Sequence, residues 1–201
     1  MAQGANAAAL APAFAAPVFD AAYSFRATLT AMSRPGTIVA LTAPQTPPAP
    51  LGRAMAAVIL TLCDLDTPIW FGPSYSQPVA AWCDFHMGAP RFANPREALF
   101  VFAPLREAPP LLSLEAGSDA YPDRSATLVI ECDELSEGGN HILEGPGIQS
   151  THRLSSDALT PQFLAGWQEN GARFPRGVDV ILTCGDQLAA LPRTTRISED
   201  G

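Results

Sequence analysis

Arginine and threonine are the residues here best suited to hold an anion, and they gather in two places. One is Pro192-Arg193-Thr194-Thr195-Arg196. The other is Arg26 with Thr30 on one helical face, and Arg34 further along. A guanidinium fork matches the two oxygens of a phosphate or phosphonate, and threonine hydroxyls add donors. The same groups could equally bridge to the chain's twenty acidic residues or line a subunit contact. Both readings stay open at this level.

Other spacings suggest chemistry more weakly. Cys83 and His86 have C-x-x-H spacing on one helical face. Two ligands do not make a metal site, and no second pair joins them. A histidine in an apolar stripe is more simply a hydrogen-bonded core residue. Asp64 and Asp66 flank Leu65 and would point the same way if extended, as a divalent ion requires. Solvated helix-end carboxylates are the simpler account. Gly145-Pro-Gly147-Ile-Gln-Ser150 imitates a phosphate-cradling loop, but no helix opens directly after it, which favours a turn between strands. His141 and His152 lie near strand ends with no motif around them. No G-x-S-x-G or H-E-x-x-H occurs.

Composition removes whole reaction classes. All twelve basic residues are arginine, so no lysine is present to form a Schiff base or a P-loop. The net charge is −8, a poor basis for binding nucleic acid. The four cysteines, Cys63, Cys83, Cys132 and Cys184, form no C-x-x-C pair and sit in or beside apolar stretches, as buried thiols in a reducing compartment would. No metal and no cofactor is expected. The 201 residues suit one α/β domain of residues 18–201 behind a mobile alanine-rich tail of residues 1–17. The longest apolar run falls far short of the ~20 residues that cross a bilayer, so no membrane span is expected. The start lacks the basic region of an export signal, which points to the cytoplasm.

These groups must be positioned by interleaved helices and strands. A first helix over 20–32, with Asp20 as cap, places Ala22, Phe25, Leu29 and Met32 in one apolar stripe. Ser33-Arg34-Pro35-Gly36 stops it, and a strand follows at 37–41. A helix over 52–63 is apolar nearly all round and should be buried on most sides. A strand at 68–71 precedes a third helix over 77–87, on which Val79, Trp82, Cys83 and His86 share a face. Strands are expected at 99–102 and 126–132. Gly138-Gly139 should then turn the chain so that residues 141–143 pair back as a hairpin. Thr160-Pro161 opens another helix, with Leu159 and Leu164 as its staple and Gly171 at its end. Strands 178–184 and 187–191 flank the turn Gly185-Asp186. Residues 104–124, rich in proline, form a surface excursion. The pattern implies a three-layer α/β/α domain with a mixed sheet.

Five motifs in order identify a resemblance over about residues 18–197. They are Ser24-Phe-Arg26 through Met32-Ser-Arg-Pro-Gly36; Leu62 through Asp66-Thr-Pro-Ile-Trp70; Phe85-His86 with Ala89-Pro90; Gly145-Pro-Gly-Ile148; and Phe174-Pro-Arg-Gly-Val-Asp-Val-Ile-Leu-Thr-Cys-Gly185 with Leu191-Pro-Arg-Thr-Thr195. Together they resemble PhnH, the H subunit family of the carbon–phosphorus lyase core complex of phosphonate metabolism. The resemblance implies a fold similar to the pyridoxal-phosphate-dependent transferases but without cofactor, consistent with the missing lysine. It implies a homodimer working with the G, I and J subunits and the L protein. The G, H, I and L proteins replace the adenine of MgATP with an alkylphosphonate, and the J subunit later breaks the C–P bond. It carries over no catalytic residue. Arg26, Arg34, Arg193, Thr194, Thr195 and His86 remain candidates for an anion site or an interface. The rival expectation is a free-standing α/β enzyme or binding protein for a small phosphorylated ligand. A phosphonate-binding regulator lacks a DNA-binding motif or basic face.

Overall fold

The computed structural model describes residues 13–44 and 46–200. Among the described residues, four α-helices and nine strands succeed one another as α1 (Pro17–Ser33), β1 (Val39–Ala40), α2 (Arg53–Leu62), β2 (Ile69–Phe71), α3 (Gln77–His86), β3 (Phe100–Pro104), β4 (Thr127–Glu131), β5 (Leu135–Glu144), β6 (His152–Ser156), α4 (Pro161–Gly171), β7 (Asp179–Cys184), β8 (Gln187–Leu191) and β9 (Arg196–Glu199). The main sheet has the order β1-β8-β7-β4-β3-β2. Strands β2, β3, β4 and β7 run parallel, and β8 and β1 close one side antiparallel. A second, antiparallel sheet has the order β6-β5-β9.

The alternation of side chains along each strand divides the core in two. Phe102, Val129, Ile181, Leu188 and Ala190 face a cluster that includes α2 and the buried side of α3. Val101, Leu128, Ile130, Val180, Leu182, Ala189 and Leu191 face the other side. There they meet α4 through Leu164 and Trp167, and the small sheet through Leu143, Leu154 and Ile197. Both faces are covered, so the central strands read as unbroken apolar runs. The protein is therefore a mixed α/β fold with a six-stranded mixed sheet. Its second face carries one helix together with a small sheet, instead of a full helical layer.

Local expectations hold where residue chemistry is strong. Residues Ala54 to Ile59 of α2 are all buried. The Thr160 side chain caps α4, accepting from Phe163 N at 3.2 Å, and Leu159 and Leu164 share the second cluster. Strand β8 spans the expected residues, and Gly185 turns the chain with positive φ.

Four expectations need correction. Helix α1 begins at Pro17, and Asp20 acts from inside its first turn by accepting from Ala16 N at 2.7 Å. Of its expected apolar stripe, Ala22, Phe25 and Leu29 face outward, beside exposed Val18, Phe19 and Tyr23, and only Met32 packs partly buried against the first core. The buried side is Ser24, Thr28 and Ala31, small residues that let the helix lie close to α2. Gly138 and Gly139 make no hairpin. They form an irregularity inside the single strand β5, which pairs with β6 on both sides of it. Finally, residues 104–124 are only partly a surface excursion, because Leu111 and Leu114 reach back into the second core. Of the expected N-terminal tail, residues 1–12 lie outside the described residues; Phe14 is buried in the first cluster.

Candidate functional site

Arg193 stands just beyond β8 and is drawn inward by Asp179, the first residue of neighbouring β7. Its Nε donates to Asp179 Oδ1 at 3.1 Å and its Nη2 to Asp179 Oδ2 at 2.5 Å. Nη2 also donates to Ser125 Oγ, and Nη1 to the carbonyls of Pro122 and Pro175. The two charged side chains are only 12% and 16% exposed. The bidentate geometry places both charges where extra hydrogen bonds offset their desolvation. The guanidinium thus spends its donors tying three segments together. Thr194 lies half-buried beside it. Thr195 is buried; its carbonyl accepts from Trp167 Nε1 at 2.8 Å, while its hydroxyl has no partner among the described residues.

Around this clamp lies an open cleft of about 440 Å³, lined by Met32, Pro122, Phe174, Pro175, Arg193 and Thr194 among others. The end of α1, the segment before β7 and the segment after β8 meet here. Arg26 and Arg34 are exposed and do not line this cleft. Neither forms an ion pair with a described residue. His86 is elsewhere, at the end of α3, edge-on to the rings of Trp82 and Phe85 at 4.9 and 5.0 Å. The structure therefore brings Arg193, Thr194 and Thr195 together and leaves Arg26, Arg34 and His86 apart from them.

The glycine-rich segment 145–148 is the turn between β5 and β6. Gly147 has φ +85°, and a Cβ there would overlap the Ser33 carbonyl oxygen and crowd Pro35. The opposing Gly36 has φ +83° and leaves room for Leu143 and His152, whose Nε2 lies 3.1 Å from the Gly36 carbonyl. Two glycine turns far apart in the chain are thus packed on each other.

The comparisons place these motifs together in one family. The model of the bacterial phosphonate metabolism protein PhnH matches residues 12–198. The chain belongs to the PhnH family. It is 43% identical over 190 residues to the alpha-D-ribose 1-methylphosphonate 5-triphosphate synthase subunit PhnH of Rhizobium meliloti, covering 94% of this chain and 95% of that relative. It is 34% identical over 183 residues to a putative C-P lyase subunit protein, HtxG, of Stutzerimonas stutzeri, covering 89% and 86%.

The remaining spacings are accounted for locally in this PhnH-family chain. The Asp64 carboxylate accepts from Asp66 N at 3.0 Å and Thr67 Oγ1 at 2.7 Å, which lowers its pKa. It closes a turn. Among the described residues no group of three or more His, Cys, Asp or Glu could hold a metal. Cys63, Cys83 and Cys132 are buried and Cys184 is half-buried. Burial is the first cause that pushes all four thiols up, Cys83 and Cys132 to about 12, which disfavours the reactive thiolate.

A second concavity lies at the carboxyl ends of the parallel strands. The segment leaving β2 leads to α3, whose Val79, Trp82 and Cys83 pack on the first face. The segment leaving adjacent β3 leads to Leu111 and Leu114 on the second face. This divergence opens a crevice of about 550 Å³. Glu131, the last residue of β4, lines it; the Tyr75 hydroxyl donates to its Oε2 in a short hydrogen bond, and Gly52 N–H donates to it as well. Burial raises the Glu131 pKa against these two donors. Glu107 Oε2 accepts from both Ser74 N and Ser74 Oγ at 2.9 Å. None of Tyr75, Glu107 and Glu131 stands out in the sequence. The available signal was the acidic residue ending a β-branched run, the position from which open α/β sheets address ligands.

Proposed function

We propose that this chain is the H subunit of a carbon–phosphorus lyase system. In this role it supports transfer of the ribose triphosphate of MgATP to an alkylphosphonate, with release of adenine, as an accessory and non-catalytic subunit. The observation that carries the reading is 43% identity over nearly the full length of a named subunit of that synthase. The distribution of charge agrees. A triphosphate with a phosphonate is strongly anionic, the chain carries −8, and Arg193 is already bound by Asp179. The outward apolar stripe of α1 suits a protein that works inside an assembly. In this proposal the subunit is a cytoplasmic homodimer that joins the G, I and J subunits and acts with the L protein. Its domain is related to the pyridoxal-phosphate-dependent transferases and works without cofactor.

Tagged protein recovered from its host during growth on a phosphonate should carry those subunits in fixed stoichiometry. The isolated chain should show no transfer from MgATP. An unaccompanied protein that turns over a phosphorylated substrate by itself would overturn the reading in favour of a free-standing enzyme.

A further inference from the structure

We propose that the crevice at the carboxyl ends of β2, β3, β4 and β7 is a binding site for a small planar cation, an amidinium or a protonated amino-heterocycle, held by Glu131 and Asp133. The first argument is topological. Neighbouring parallel strands whose outgoing segments pass to opposite faces leave a crevice at their carboxyl ends, and this is where open α/β sheets take ligands. At about 550 Å³ the crevice has the size of a small-molecule site.

Its lining selects the class of ligand. Pro50, Pro104 and Leu105 supply apolar lining, which a ring can contact. Glu131 and Asp133 supply carboxylates, and the Tyr75 hydroxyl donates to Glu131. After burial, the groups that raise the thiol of Cys184, itself part of the lining, are the carboxylates of Asp157, Asp133, Glu131 and Glu134. By geometry, two carboxylates, Glu131 and Asp133, line the crevice with one guanidinium, Arg106, so the lining carries a net negative charge. The cation at its edge, Arg106, is 71% exposed and lies 3.7 Å from the Glu107 carboxylate, so it offsets little of that charge. A phosphate or carboxylate ligand would be repelled, while a donor-rich planar cation finds acceptors and apolar contact together. The crevice would accept such a ring whether or not the chain supports ribose transfer.

Benzamidine is the probe, and benzoate is the anion of matching shape. Titration calorimetry on the purified chain should show benzamidine binding at millimolar concentration or below, and no benzoate binding. Asp133→Asn and Glu131→Gln should each weaken benzamidine several-fold. Arg106→Glu should strengthen it, because the reversal adds to the negative field. Asp133 and Arg106 are exposed, so those two variants remain decisive if Glu131→Gln, which disturbs the hydrogen bonds from Tyr75 and Gly52, fails to fold. Absence of benzamidine binding, equal binding of benzoate, or affinities unchanged in Asp133→Asn and Arg106→Glu would each overturn the proposal.

Discussion

Arg193 shows how a residue suited to bind a ligand can be consumed by the fold. Its guanidinium joins Asp179 at the head of β7 to the carbonyls of Pro122 and Pro175 and the hydroxyl of Ser125. Truncating it leaves the Asp179 carboxylate buried and unpaired. Arg193→Ala should therefore cost about 3–5 kcal/mol in urea unfolding, the range for breaking one side of a buried pair. Arg193→Lys keeps the charge but loses the planar fork, so its loss should fall between those of wild type and alanine. A loss below about 1 kcal/mol for alanine would show that the clamp contributes little, and Arg193 would again be free to serve a ligand.

The turns and helices test how tightly elements are fitted to each other. Gly147 closes the β5–β6 turn against the end of α1, with φ +85° and no room for a Cβ beside Ser33. Gly147→Ala should destabilise by at least about 1–2 kcal/mol from backbone strain alone, which in a chain of this size lowers Tm by a few degrees. Gly166 offers the contrast. It lies within α4, and a Cβ there would meet nothing within 4 Å. Gly166→Ala should stabilise by about 0.5–1 kcal/mol through helix propensity. Calorimetric scans of the two variants should move in opposite directions. A matching loss in both would mean that tight packing at the turn is not what singles out Gly147.

At the scale of the molecule, the unusual feature is a long helix that turns small residues, two of them hydroxyl-bearing, inward and large apolar side chains outward. Ser24 Oγ donates to the Thr42 carbonyl at 2.7 Å and Thr28 Oγ1 to the Ser24 carbonyl at 2.9 Å, so the inward hydroxyls are satisfied. Outside, Phe25 and Leu29 continue into an apolar groove with Met32, Leu62, Phe100 and Ile181. Exposed apolar area of this kind costs solubility and is kept where a protein surface covers it. Phe25→Asp with Leu29→Asp should leave thermal stability within about 0.5 kcal/mol per site. The same pair should reduce the oligomer seen by light scattering, or the recovery of partner subunits, or both. If both readouts match wild type, the stripe is not an interface.

Much of the architecture was legible because local chemistry and tertiary packing agree. The apolar ring of α2, the Thr160-Pro161 start of α4 and the apolar run Val180-Ile181-Leu182 of β7 each favour one structure, since a strand buried on both faces need not alternate. The family motifs were legible for the same reason: glycines at 36 and 147 are dictated by backbone geometry and close approach. The sequence alone also excluded lysine chemistry outright. What only the tertiary structure decided is which surface covers which. Periodicity places Phe25 and Leu29 on one face of α1 but does not say whether core or solvent lies opposite. A glycine pair such as Gly138-Gly139 permits a turn or an irregular strand, and pairing with β6 selects the second. The sequence offered Arg193 as an open anion receptor; Asp179, fourteen positions earlier, closes it. Glu131 and Tyr75 meet only because strand order and diverging crossovers bring distant segments to one crevice, and no spacing along the chain encodes that meeting.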